Sequence, residues 1–159
     1  MSDAFKGEMT RLWSSLGLGT PVFRTENTVV LRIDEIDVVL SETPDGSSVL
    51  ATARAGRLSG EPSRRADQVR TLLQANLGVL ARNRSCICLD DQAAPLPTVL
   101  VRALYPYAAR QTDRLKGTIE DVVDVVELHR SALSEGSPAL VASPRAVTSQ
   151  SGEAVIFRP

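Results

Sequence analysis

The stretch NTVVLRIDEIDVVLSETPDGSSVLATARAGRLS, residues 27–59, decides the fold. Within it NTVVLRID (27–34) and DVVLSET (37–43) are β-branched and roughly alternating. The turn Pro44-Asp45-Gly46 then leads into a third run, SSVLATARAGRLS (47–59). Connections this short admit antiparallel pairing, so the three runs predict a meander. Alternation at period two predicts one buried face and one wetter face.

On the N-terminal side, residues 2–17 place Phe5, Met9, Leu12, Trp13 and Leu16 on one helical stripe. Ser2 or Asp3 caps its start, and Gly17 and Gly19 followed by Pro21 end it. On the other side, Glu61-Pro62-Ser63 begins a second helix that runs to Asn83. This helix carries Val69, Leu72, Leu73, Asn76, Leu77 and Leu80 on one face. Two further strands, SCICLDD (85–91) and TVLVRALYPYA (98–108), are followed by a long helix from about Gln111 to Glu135. In that helix Leu115, Ile119, Val122, Val123, Val126 and Leu133 face inward, and Asp121, Asp124 and Glu127 face outward. The expected order is α-β-β-β-α-β-β-α, an α+β sandwich with helices packed on an antiparallel twisted sheet. Residues 1–135 are expected to form a single domain. Residues 136–159, rich in Gly, Ser and Pro, read as a flexible C-terminal tail, tacked down at its end by Ala154-Val155-Ile156-Phe157.

The 159 residues suit one domain, and the 43% hydrophobic and 23% charged fractions are those of a soluble globular protein. A net charge of −1 argues against electrostatic capture of nucleic acid. Locally the balance differs. Residues 61–84 hold five arginines against Glu61 and Asp67, which reads as a solvated outer helix face more readily than as a binding patch. No basic segment with an apolar run precedes the first helix, and no stretch of ~18 apolar residues could span a bilayer, so a cytoplasmic chain without membrane insertion is expected.

Catalytic material is scarce. His129 is the one histidine, beside Arg130 near the end of the last helix, and reads as a surface residue. Cys86 and Cys88 share a strand face at a spacing that strains a disulfide, and read as small core residues. Asp90-Asp91 is a strand-ending turn, because neighbouring strand residues point to opposite faces. Gly17-x-Gly19 follows a helix and lacks the strand that a dinucleotide loop requires. The expectation is a binding protein: no enzyme, no cofactor and no metal.

Two segments, TLLQANLGVLARNRSCICLDD (71–91) and GTIEDVVDVVELHRSAL (117–133), resemble the class I type III secretion chaperones, the CesT/SycE-like family of Gram-negative bacteria. Leu72, Leu73 and Asn76 match that family's Leu-Leu-x-x-Asn helix, and the element order matches across residues 2–135. The resemblance implies a homodimer with the second helix near the two-fold axis, which assigns Val69, Leu72, Leu73, Asn76, Leu77 and Leu80 to the interface and adjoining core. It also implies that the N-terminal region of one or several secreted effectors is held in extended form and passed to the secretion ATPase. By analogy the effector groove uses Phe5, Met9, Leu12, Trp13 and Leu16 of the first helix with Val29, Leu31, Ile33, Val38 and Leu40 of the meander. A regulatory module that sequesters a cytosolic partner such as a transcription factor is the alternative reading of the same features.

Overall fold

The computed structural model describes residues 2–82, 85–90, 96–109, 112–134 and 155–156. Helix α1 (Asp3–Ser15) begins where the Ser2 hydroxyl accepts the Phe5 N–H at 3.1 Å. It ends in a Schellman turn: Leu18 N–H donates to Trp13 C=O at 3.0 Å and Gly17 N–H to Ser14 C=O at 3.2 Å. Gly17 takes φ +70° there, which a side chain would resist. Two glycines in sequence were thus a sound stop signal.

The meander follows as β2 (Thr28–Ile33), β3 (Ile36–Glu42) and β4 (Ser48–Arg57), preceded by the three-residue β1 (Phe23–Thr25). Helix α2 (Pro62–Arg82) leads to β5 (Ser85–Asp90) and β6 (Thr98–Pro106). A 3-10 turn at Tyr107–Ala109 precedes α3 (Thr112–Ser134), and β7 (Val155–Ile156) is the last element. The sheet order is β1-β2-β3-β4-β6-β5, antiparallel throughout, with β7 added in parallel to β2. The α+β architecture expected from the sequence is therefore the one observed, with β1 and β7 as additions. Both are too short to announce themselves by alternation. Of residues 136–159, only 155–156 lie within the described residues, so the reading of that stretch as a flexible tail falls outside them.

Helix α3 crosses β4 and β6 and touches α1, whereas α2 packs on β5. The core is the space between these helices and one sheet face. Val29 and Leu31 of β2, Val38 and Leu40 of β3, Val49, Ala51 and Ala53 of β4, and Val99, Val101 and Tyr105 of β6 all point into it. From above come Phe5, Met9, Leu12 and Trp13 of α1 and Leu115, Ile119, Val122, Val123 and Val126 of α3. Burying such aliphatic side chains contributes roughly 1.5–3 kcal/mol each. Among the described residues no helix is long and apolar enough to cross a membrane.

The end of α3 lies close to β4. The β4–β6 register shifts between Arg54 and Gly56, and a Cβ on Gly56 would lie 2.7 Å from Leu133 Cβ. That atom is the root of its side chain, so the helix itself would have to move. Gly56→Ala is therefore expected to destabilise the fold by about 1–3 kcal/mol, read as a lower urea midpoint. Gly7→Ala is the control. A Cβ there meets nothing within 4 Å, and the helical preference for alanine should leave stability equal or higher.

Candidate functional site

The side chains expected to line an effector groove are in the core. Phe5, Met9, Leu12, Trp13, Val29, Leu31, Ile33, Val38 and Leu40 are all buried within the chain, and Leu16 is half-buried against them. The groove expectation is corrected for a simple reason. Alternation named the right set of residues for one face, but α1 and α3 cover that face and leave little side-chain surface to offer beyond part of Leu16.

Helix α1 is also anchored by polar contacts. Buried Glu8 accepts the Tyr105 hydroxyl at 3.1 Å and pairs with Arg11. At the helix start, Glu42 at the end of β3 accepts the Ser2 backbone N–H at 3.0 Å, the Ser2 hydroxyl, and the Tyr107 hydroxyl at 3.4 Å. The Ser2 hydroxyl holds the Glu42 carboxyl below its usual range, while burial and then the Glu42 charge push the Tyr107 phenol well up. Glu42 stays an acceptor and Tyr107 a donor at neutral pH.

The α2 residues divide. Leu72 is buried, and Val69 packs partly buried against the core. Asn76 behaves like a strand neighbour: its Nδ2 donates to Ile87 C=O at 3.2 Å, and its Oδ1 accepts the Ile87 N–H at 2.8 Å. That pair fastens α2 to β5 and gives the Leu-Leu-x-x-Asn pattern a physical meaning. The remaining three residues form a stripe at steps of four and three, and they are open: Leu73 is 62% exposed, Leu77 73% and Leu80 57%. Leu89 on β5 borders this stripe beside Leu73, whereas Leu128 on α3, 70% exposed, lies on the other side of α2 by Gly78 and Val79; neither stood out in the sequence. Exposed leucines at this density are unusual for a surface that meets water alone.

Between α2 and α3 lies a cleft of about 430 Å³ bordered by Gly78, Val79, Asp124, Leu128 and His129. His129 is not the surface residue expected from the sequence. It is buried, and its Nε2 has no hydrogen-bond partner among the described residues. Burial holds its pKa below the ordinary value, so the ring is neutral at pH 7. The expectation that Cys86 and Cys88 are core residues also needs correction. Their register opposite Arg102 and Leu100 places them on the helix-free sheet face, half-buried, with free thiols. Burial pushes the Cys88 thiol up, with Arg102 opposing, which keeps it protonated and weakly nucleophilic. Among the described residues no group of His, Cys, Asp and Glu could hold a metal. What the site offers is apolar surface and sheet edge, the material of a binder.

Residues 9–128 match the sequence model of the Tir chaperone protein (CesT) family. Among curated proteins there is no match to this sequence. Solved structures share the fold. The HopA1–SchA chaperone–effector complex matches with TM-score 0.66 at 17% identity, over 80% of this chain and 94% of that one. The ExsC–ExsE complex follows with TM-score 0.63 at 18% identity, over 80% and 92%. The Yersinia pestis type III secretion chaperone SycH, in complex with a fragment of YscM2, gives 0.61 at 18% identity, over 79% and 98%.

Two outcomes follow from this geometry. Asn76→Ala leaves both Ile87 backbone groups without their partner and is expected to destabilise by about 1–3 kcal/mol. Hydrogen exchange should show the loss concentrated in α2 and β5. For His129 the folded pKa is depressed, so its contribution is present above the unfolded pKa, near 6.5. It is lost as pH falls from there toward the folded value. The parent chain should lose stability between about pH 7 and 5 more steeply than His129→Gln, as measured by urea midpoints across that window.

Proposed function

The chain belongs to the Tir chaperone protein (CesT) family, and from that membership we propose that it is a type III secretion chaperone that holds the N-terminal region of effector proteins in extended form. The observation that carries this reading is the span of the match. Residues 9–128 run from inside α1 to near the end of α3, so strands β1 to β6 and the helices over them are included. The resemblance read from residues 71–91 and 117–133 is borne out by it. The neighbours that share the fold include the HopA1–SchA chaperone–effector complex, and that occupancy is what we carry over to this chain. The released cargo would pass to the secretion ATPase, and several effectors could be served in turn.

With the α1 and meander side chains committed to the core, the cargo surface moves to the backbone of the β1–β2 edge of the sheet and the apolar residues beside it. Val22, next to β1 and 58% exposed, is one such residue. Backbone pairing supplies affinity for an extended chain whatever its side chains. The homodimer uses the exposed α2 stripe. A two-fold contact is self-complementary, and Leu73, Leu77 and Leu80 of one helix against the same three of another would remove this apolar surface from water.

The cargo test is titration calorimetry of the full chain against N-terminal segments of the effectors secreted by the same organism. Binding of at least one is expected. If none binds, the function proposed here fails. The dimer is tested by sedimentation of the full chain and of Leu77→Asp. The exposed position should tolerate the charge without loss of helical signal, while the dimer dissociation constant rises by more than about tenfold. A monomeric parent would overturn the homodimer, and an unchanged dimer in the variant would place the interface elsewhere.

A further inference from the structure

Strand β2 has an unevenly occupied outer edge. One side of β2 is paired with β3 along its whole length, from Thr28↔Ser41 to Ile33↔Ile36. On the other side β1 reaches no further than Val29, through Phe23↔Val29 and Thr25↔Thr28. The β1 ladder cannot be extended along β2, because the residues leading back from Phe23 are Val22 and Pro21, and proline has no N–H to donate. The edge at Arg32 and Ile33 is filled instead by β7, in parallel, with Arg32↔Val155 and Ile33↔Ile156.

Three features mark this as an accepting site with an exchangeable occupant. First, β7 has two residues, so the pairing amounts to a few backbone hydrogen bonds worth about 1 kcal/mol each. Second, Val155-Ile156-Phe157 has the β-branched and aromatic composition that strands favour, and no proline to block a ladder. Third, the segment is delivered to the right place. In the last turns of α3, Arg130 pairs with Glu35 at 3.2 Å, and Glu35 lies in the turn that directly follows Ile33. The last turns of α3 therefore lie at the same end of the sheet as the stretch of β2 that β7 meets. Residues 135–154 join the two, and a tether of this length keeps a weak strand at an effective concentration near the millimolar range.

We propose that the outer edge of β2 at Arg32–Ile33 is a strand-accepting site that the chain's own residues 155–156 fill in cis, and that an extended polypeptide entering parallel to β2 must displace them. The partner it fits is a short, proline-free, β-branched segment. That the entering strand belongs to an effector rests on the function proposed above; the occupancy in cis does not. The cis strand protects an edge that would otherwise recruit other chains, and it sets a threshold for cargo. If the edge is filled in nine molecules of ten, a competing strand binds about tenfold more weakly than to an open edge.

The test uses the full chain and a full-length variant carrying Val155→Pro and Ile156→Pro. Amide hydrogen exchange, without any cargo, should show the outward-facing amides of residues 31–33 exchanging at least tenfold faster in the variant. The amides of β3, paired on both sides, should be unchanged. A synthetic peptide of residues 151–159 added to the variant should restore the protection, and the same peptide with Val155→Pro should not. Equal protection in the two full-length chains, or a peptide without effect, overturns the site. An effector segment that binds the parent should bind the variant several-fold more tightly. Unchanged effector affinity alongside the expected exchange result overturns the displacement step. Failure of every effector to bind, with the exchange result intact, overturns the proposed function and leaves the cis strand standing.

Discussion

Strands β2, β3, β4 and β6 turn alternate side chains to one face, and the burial of that face under α1 and α3 fixes the rest of the molecule. The helices can lie close because β4 lines the face with Ala51, Ala53, Ala55 and Gly56, while β2, β3 and β6 supply the larger branched residues. The small residues on β4 let α3 descend close to it, as Leu133 does at Gly56. Once α3 is down, its far end must clear Gly56, and its other face is left to meet α2 across the cleft that holds His129.

The same burial decides what α1 can do. A terminal amphipathic helix with a methionine and a tryptophan looks available for a partner, but here its apolar stripe is the lid of the core. Its polar contacts agree: Glu8 reaches down to Tyr105, and Ser2 is bound to Glu42, which is also held by Tyr107. Releasing α1 to open a groove would uncover Phe5, Met9, Leu12 and Trp13 together and break the Glu8–Tyr105 and Ser2–Glu42 hydrogen bonds. Those costs are each of the order of a few kcal/mol, against a total stability of about 5–15 kcal/mol. The proposed cargo surface therefore uses features that exist with α1 in place.

Most of the architecture was legible because it depends on periodicity. The meander, α2, β5, β6 and α3 all carry a period of 2 or 3.6 over enough residues to be read, and the Gly17 and Gly46 stops are local backbone chemistry. What the sequence could not yield was anything decided between elements. Val29, Leu31 and Leu40 alternate in the same way whether a helix or a peptide covers them. The α2 face looks continuous from Val69 to Leu80, yet it divides because β5 lies under only part of it, at Leu72 and Asn76. His129 is buried beside a cleft that α3 forms with α2, an element far from it in sequence. β1 and β7 owe their existence to β2, and only β7 carries a local signal, the apolar Ala154–Phe157 composition.

The two surfaces assigned to partners lie at opposite ends of the sheet, and that separation carries a consequence. The α2 stripe is beside β5, one edge of the order β1-β2-β3-β4-β6-β5, and the accepting edge belongs to β2 near the other. Four strand spacings separate β5 from β2, about 19 Å at the usual distance between neighbours. A dimer built on α2 would leave both β2 edges uncovered and facing away from the contact, so that assembly and strand capture need not compete. Each copy would present its own edge, and an extended cargo long enough to reach both would gain from two attachments what neither short ladder supplies alone. Since each attachment is made mainly of backbone hydrogen bonds, such a body discriminates weakly among side chains. That is the physical condition for one chaperone to hold more than one effector.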